Sequence, residues 1–273
     1  MSSPCRLLLS GARGRMGQEI IQLALSGFQG AEGTGFTLGG AIDQSATTLE
    51  LVGQSIAVQS TTALDSLASQ SDVVIDFSAP ANTLAVLAVC RQYRLPCVIG
   101  TTGFDSAELT RIRDFARDIA ILHAPNMSVG VNLLFELTGL AASVLQDGYD
   151  IEVLEAHHRF KKDAPSGTAL RIKEVLLQSL ERSEEQVIYG RKGLTGERPA
   201  REIGMHTMRG GDVVGDHTVF FLGEGERLEI THRASSRQTF ASGALRAAAF
   251  LRQRAGQPGM YAMRDILGLN RLG

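Results

Sequence analysis

Short apolar runs alternate with apolar residues at helical spacing over the first 120 positions. Cys5–Ser10 (CRLLLS) reads as a buried strand that runs directly into Gly11-Ala12-Arg13-Gly14-Arg15-Met16-Gly17. Met16, Ile20, Leu23 and Ala24 then share one face of a helix that closes at Gly27. A polar, glycine-rich loop over residues 27–36 leads to a second strand, Thr37–Asp43, completing a βαβ unit. The pattern repeats with strand Asp72–Phe77, a helix opened by Pro80 whose apolar residues are Leu84, Leu87, Ala88 and Tyr93, and strand Cys97–Ile99. A helix from about Ser106, with Asp105 and Glu108 at capping-box spacing, and strand Ile119–Leu122 follow. This alternation predicts an α/β, Rossmann-like, doubly wound parallel sheet.

After an apolar helix, Val129–Leu145, the pattern changes. Tyr149–His158 alternates as a strand with one exposed face, and Val187–Tyr189, Ile203–Met208, Thr218–Leu222 and Leu228–Arg233 follow with no long helices among the last four. A second, α+β domain with a mixed or antiparallel sheet is expected. The last helix, Phe240–Arg252, and the tail through Leu267 are candidates to return to the first domain.

Composition narrows the function classes. The 273 residues are 44% apolar and 21% charged, an ordinary globular balance. With 27 Lys+Arg against 29 Asp+Glu the formal net charge is -2, so the broad basic footprint of a nucleic-acid binder is not expected. Cys5, Cys90 and Cys97 lie in apolar runs and read as reduced core thiols of a cytoplasmic protein. No run approaches the ~18 apolar residues of a membrane span.

The glycine turn after the first strand carries a nucleotide signal. Gly11, Gly14 and Gly17 depart from G-x-G-x-x-G spacing, but they join a strand to a helix N-terminus, where backbone N–H groups and the helix dipole receive a pyrophosphate. Asp43, ending the second strand, is placed to accept from adenosine ribose hydroxyls. Its carboxylate repels a 2'-phosphate and its neighbour is Gln44, which favours NADH over NADPH; Arg13 and Arg15 keep phosphate pairing open. Phe77–Pro80, Gly100-Thr101-Thr102-Gly103 and Ala124-Pro125-Asn126-Met127 each follow a parallel strand and so gather at the carboxyl edge of the sheet, where ligands bind.

Glu155 to Thr168 (EAHHRFKKDAPSGT) holds the densest chemistry. His157 with Lys161 is an acid/base pair, and Ser166-Gly167-Thr168 opens a helix toward an anion such as a carboxylate. Strand alternation sends His157 and His158 to opposite sides. His157, His158, Asp163 and His232 lack zinc-ligand spacing, so no metal is expected. A thiol nucleophile is disfavoured because all three cysteines precede residue 98. A dehydrogenase of another small carboxylate and a dinucleotide-binding redox sensor remain as alternatives, the sensor having no need of an acid/base pair.

These residues resemble the 4-hydroxy-tetrahydrodipicolinate reductase (dihydrodipicolinate reductase) family nearly end to end. The resemblance is carried by Gly11–Gly17, Ile75–Ser78, Gly100–Phe104, Ser128–Asn132, Glu155–His158, Asp163–Thr168 and Ile230–Arg237. It implies hydride transfer from NADH or NADPH to C4 of a cyclic dicarboxylate in the diaminopimelate route to lysine. By motif position His157 is the proton donor/acceptor and Lys161 the proton donor, with His158, Ser166, Gly167, Thr168 and Arg237 on the substrate. Gly11, Ala12, Arg13, Gly14, Arg15, Met16, Asp43, Phe77, Gly100, Thr101, Thr102, Ala124, Pro125, Asn126 and Met127 form the implied cofactor shell. The resemblance also implies a homotetramer, a dinucleotide-binding domain of residues 1–127 and 241–273, and a substrate-binding and oligomerisation domain of residues 128–240.

Overall fold

The computed structural model describes residues 3–30, 33–146 and 148–268. Residues 31 and 32 of the expected loop, residue 147 of the expected second domain, and the ends of the expected first domain (1–2 and 269–273) lie outside them. The chain forms two compact units, residues 1–129 with 237–273, and residues 130–236.

In the first unit β1 (Cys5–Ser10) passes through the glycine turn into α1 (Arg15–Leu25), and β2 (Phe36–Asp43) follows. Next come β3 (Thr47–Leu51), β4 (Gln54–Ser60), α2 (Leu64–Ala68) and β5 (Val73–Asp76). The run ends with α3 (Pro80–Tyr93), β6 (Cys97–Ile99), α4 (Ser106–Phe115) and β7 (Ala120–His123). Every residue of β5 and β6 is buried, as a parallel strand covered on both faces requires. Pro80 supplies the first residue of α3, and Asp105 and Glu108 form the expected reciprocal capping box on α4.

The second unit contains α5 (Val129–Val144, starting one residue before the boundary), β8 (Asp150–His157), α6 (Gly167–Ser179), β9 (Val187–Tyr189), β10 (Ile203–Arg209), β11 (Gly215–Leu222) and β12 (Arg227–Ala234). Its sheet has the order β12-β11-β8-β10-β9. The β12/β11 and β11/β8 pairs are antiparallel, the β8/β10 and β10/β9 pairs parallel. Alternation along β8 buries Ile151, Val153, Glu155 and His157. Ile151 and Val153 pack with Leu134 of α5 and with Ala169, Ile172 and Leu176 of α6. The same face therefore carries aliphatic core at one end and two ionisable groups at the other.

The chain then returns to the first unit through α7 (Gln238–Arg252), β13 (Gly259–Tyr261) and α8 (Met263–Ile266). The first sheet reads β13-β7-β6-β5-β1-β2-β4-β3, parallel except for the β3/β4 hairpin. Ala241, Ala244, Ala247 and Ala248 of α7 are fully buried. At Gly243 a side chain would come 1.7 Å from the Met127 carbonyl oxygen, so only glycine permits this approach. Among the described residues no helix is long and apolar enough to cross a membrane.

Candidate functional site

In the first unit the carboxyl edge of the sheet carries a cavity of about 410 Å³, lined by Gly11, Arg13, Gly14, Asp43, Gln44, Thr61, Phe77, Ser78, Ala79 and Asn82. Gly11 has φ +82°, and a Cβ on it would meet the Phe77 carbonyl oxygen at 2.1 Å. The turn is also tied down on its other side. Gly11 and Ala12 N–H both donate to the Ile42 carbonyl, and Arg13 N–H donates to Asp43 Oδ2 at 2.9 Å. Gly14, the residue before α1, provides no side-chain cap. The first helical N–H groups, those of Arg15 and Met16, are thus the donors the turn presents to an anion.

Asp43 accepts from Gln44 N–H on its other oxygen, at 2.8 Å, and Arg13 Nη1 donates to Ser45 Oγ at 2.6 Å. The carboxylate, a cation and a hydroxyl therefore stand together where the second strand ends. Ala12 is buried in the core and so offers only its backbone, while the Met16 side chain is partly buried against that core. The narrow glycine cradle, the helix terminus and the acid fit a dinucleotide.

Behind the cavity lies a carboxylate for which the motifs assigned no role. Asp76 is fully buried and accepts from Ser78 Oγ (2.7 Å), Thr83 Oγ1 (2.5 Å) and Thr101 Oγ1 (2.8 Å). Thr101 Oγ1 in turn accepts from Ser78 N–H, locking the loop after β5 to the loop after β6. Gly100 packs under the Phe77 ring, where a Cβ would lie 2.2 Å from ring carbons. Ala124 and Met127 are buried, Asn126 Oδ1 accepts from Ser128 N–H, and Thr102 and Pro125 are exposed.

In the second unit β8 ends in a polar cluster. Glu155 Oε2 lies 2.6 Å from His157 Nδ1 and accepts from Arg209 Nη1 at 2.8 Å. Its Oε1 accepts from Arg209 Nη2 (2.8 Å), Ser166 N–H (3.1 Å) and Thr207 Oγ1 (3.2 Å). Ser166 caps α6 by accepting from Ala169 N–H, and its hydroxyl lies 3.0 Å from His217 Nε2. The His157 and His217 rings meet edge to face at 5.2 Å.

Burial pushes His157 below the ordinary histidine value; Glu155 opposes this, while Lys161 and Arg209 reinforce it. Burial, aided by His157, lowers His217 to about 3. Both rings are neutral near pH 7. Lys161 Nζ pairs with Asp163 at 3.0 Å, and this cation holds the exposed Asp163 carboxyl below the usual range.

The predicted second-domain residues distribute unevenly. His157, Ser166 and Glu155 form one hydrogen-bonded cluster, while His158 binds through its N–H to the Val213 carbonyl and is the less buried of the two histidines. The Ser166 side chain is engaged by Ala169 and His217, and exposed Gly167 opens α6. Arg237 stands at the start of α7 in the first unit. Sequence reasoning gave no role to Glu155, Arg209, Thr207 or His217. Only Glu155 had a signal, an acid at a core-facing position of an alternating strand.

A glycine-turn Rossmann unit with an acid ending its second strand, together with an α+β unit bearing a buried histidine–carboxylate pair, has the make-up of a two-domain nicotinamide-dependent oxidoreductase. Residues 5–127 match the family model for the N-terminus of dihydrodipicolinate reductase, and residues 130–267 the model for its C-terminus. The chain belongs to the dihydrodipicolinate reductase family. It is 50% identical to the 4-hydroxy-tetrahydrodipicolinate reductase of Nitrosomonas europaea over 98% of this chain and 99% of that one. It is 51% identical to the protein of the same name from Nitrosomonas eutropha, over 96% and 98%. The fold matches a dipicolinate-bound dihydrodipicolinate reductase from Paenisporosarcina sp. TG-14 with TM-score 0.71 at 24% identity, covering 95% of this chain and 98% of the other.

Proposed function

We propose a division of labour for the reduction that family membership assigns to this chain. It is a 4-hydroxy-tetrahydrodipicolinate reductase, an oxidoreductase on the diaminopimelate route to lysine. Gly11–Met16, Asp43, Phe77, Gly100–Thr102 and Ala124–Met127 hold NADH or NADPH, and residues 1–127 with 241–273 act as the dinucleotide-binding domain. A bound nicotinamide supplies the hydride. His158, Ser166, Gly167, Thr168 and Arg237 receive the dicarboxylate, where the N-terminus of α6 contributes partial positive charge. His157 and Lys161 carry the proton that completes the reduction.

The observation that carries this reading is the presentation of His157. Its Nδ1 is committed to Glu155, and Nε2 has no hydrogen-bond partner among the described residues. Gly215 packs beside that nitrogen, where any side chain would stand 3.0 Å from it. A neutral imidazole held in this way takes a proton at one nitrogen and returns it from the same one.

The Asp43–Gln44 pair favours NADH, since a 2'-phosphate would meet the Asp43 carboxylate. Met208 and Leu228, exposed on the sheet of the second unit, support a homotetramer built through residues 128–240. The buried free thiols support a cytoplasmic location. The test is oxidation of NADH and, separately, NADPH followed at 340 nm, with the product of a coupled dihydrodipicolinate synthase as substrate. Substrate-dependent oxidation that collapses in His157→Gln, with dinucleotide affinity retained, is expected. Full turnover in that variant refutes the role of His157.

A further inference from the structure

The Glu155 carboxylate is fully buried and receives five hydrogen bonds, from His157, Ser166, Thr207 and both terminal nitrogens of Arg209. A buried carboxylate is costly unless its charge is matched and its lone pairs are filled, and here both conditions hold. Arg209 is delivered by register: in the parallel β8/β10 pair, Arg209 stands opposite His157 and Thr207 opposite Glu155. Arg209 Nη2 also donates to the Asp163 carbonyl at 2.6 Å, so the guanidinium has little freedom to leave.

We propose that Glu155, clamped by Arg209, is the positioning residue of the reduction: it fixes His157 as the Nδ1–H tautomer and so selects Nε2 as the nitrogen that exchanges a proton with substrate. The proposal rests on the reading of His157 as the proton carrier. An ionised carboxylate only accepts hydrogen bonds, so the ring nitrogen facing it must bear hydrogen. The hydrogen bonds of Arg209 and His157 hold Glu155 below its ordinary value against the opposing effect of its burial. When Nε2 gains its proton, the carboxylate stabilises the resulting imidazolium. Arg209 limits that stabilisation, so the ring is not locked in its charged form.

The charged and titratable groups around His157 are Glu155 on its own strand, Lys161 with Asp163 in the following loop, Arg209 on β10 and His217 on β11. Glu155 and Arg209 act on His157 with opposite signs, which makes the arrangement testable. Glu155→Gln removes the anion and Arg209→Met removes the cation; the second variant keeps the test available should the first fail to fold. Each is made alone and in the His157→Gln background, with kcat and KM measured against pH and with melting temperature and NADH affinity as controls.

Glu155→Gln is expected to lower kcat on the order of 10²-fold, as loss of a partner that orients a reacting group does, with KM little changed. The histidine limb of the pH profile should move to lower pH in Glu155→Gln and to higher pH in Arg209→Met. Neither substitution should reduce kcat further once His157 is Gln. The proposal is overturned if the limb stays in place or moves the same way in both variants, or if the loss is equal with and without His157. Full activity in His157→Gln overturns the underlying reading as well; an inactive His157→Gln beside a Glu155→Gln enzyme of wild-type profile overturns the positioning role alone.

Discussion

Gly17→Ala probes the glycine turn through packing rather than through the ligand. Gly17 is buried in the first turn of α1, and a Cβ there would lie 2.3 Å from the Gly11 carbonyl oxygen and 2.8 Å from Ala12 Cα. Ordinary contact begins at 3.4 Å, so helix and turn must separate by about 1 Å. The turn has no room to retreat. Gly11 is pressed against Phe77, and the Gly11 and Ala12 amides are bonded to Ile42.

Overpacking costs roughly 1–3 kcal/mol, and a 2.3 Å contact with backbone that cannot retreat belongs in the upper part of that range, about 2–3 kcal/mol. The helix preference of Ala over Gly offsets about 1 kcal/mol, leaving about 1–2 kcal/mol of destabilisation. At roughly 2–4 °C per kcal/mol, the melting temperature should fall by about 2–8 °C. NADH affinity should fall as well, because the Arg15 and Met16 amides move with the helix. Gly14→Ala is the contrasting variant. Its Cβ would meet only the Gly11 oxygen, at 3.2 Å, yet it lines the cavity, so it should weaken NADH while leaving the melting temperature nearly unchanged. Thermal melts and fluorescence titration with NADH read both effects. A Gly17→Ala protein that melts like wild type, or a Gly14→Ala protein that is the less stable of the two, refutes the reasoning.

If Asp43 holds the adenosine ribose as proposed, Asp43→Ala should raise the Kd for NADH more than that for NADPH, because the carboxylate would accept from one ribose and repel the other's phosphate, while kcat at saturating dinucleotide is retained; calorimetric titration of both cofactors checks this. Stability should fall as pH drops from 6.5 toward 3, because unfolded His217 takes up a proton near 6.5 that the folded ring refuses until about 3. His217→Gln should flatten the melting-temperature profile over that window. Burial disfavours ionised Glu152, but hydrogen bonds from Arg191, His206 and Arg198 outweigh it and bring the carboxyl down to about 2. Its stabilisation is present above pH 4.5 and lost as pH falls toward 2, so Glu152→Gln should lose stability at neutral pH and show a shallower acid limb in a pH series of melts.

The elements with a strong local signal were legible in the chain. The strand–turn–helix at Cys5–Leu25, the capped α4 and the exact span Val187–Tyr189 needed only period, caps and glycine positions. The β3/β4 hairpin and β13 were not anticipated. Thr47–Leu51 and Gln54–Ser60 are short and mostly polar, and Gly259–Tyr261 has three residues, so each becomes a strand only because a neighbouring edge is there to pair with it. β11 begins at Gly215, three residues before the expected Thr218, because pairing with Ala234 of β12 extends past the apolar stretch.

For the functional residues the division follows the same physics. The sequence by itself determined which groups are close along the chain: the glycine turn, Asp43 at a strand end, and His157, Lys161 and Ser166–Thr168 within one loop and helix start. Only the tertiary structure decided what those groups face. Glu155 and Arg209 are 54 residues apart, and nothing local reports that β8 and β10 pair in parallel with His157 opposite Arg209. A shift of one residue in that register would turn Arg209 to the other face of the sheet and leave a buried carboxylate without its cation, because side chains on a strand alternate between faces. Strand register depends on how all the apolar faces fit at once, so it belongs to the folded molecule rather than to any segment of the chain.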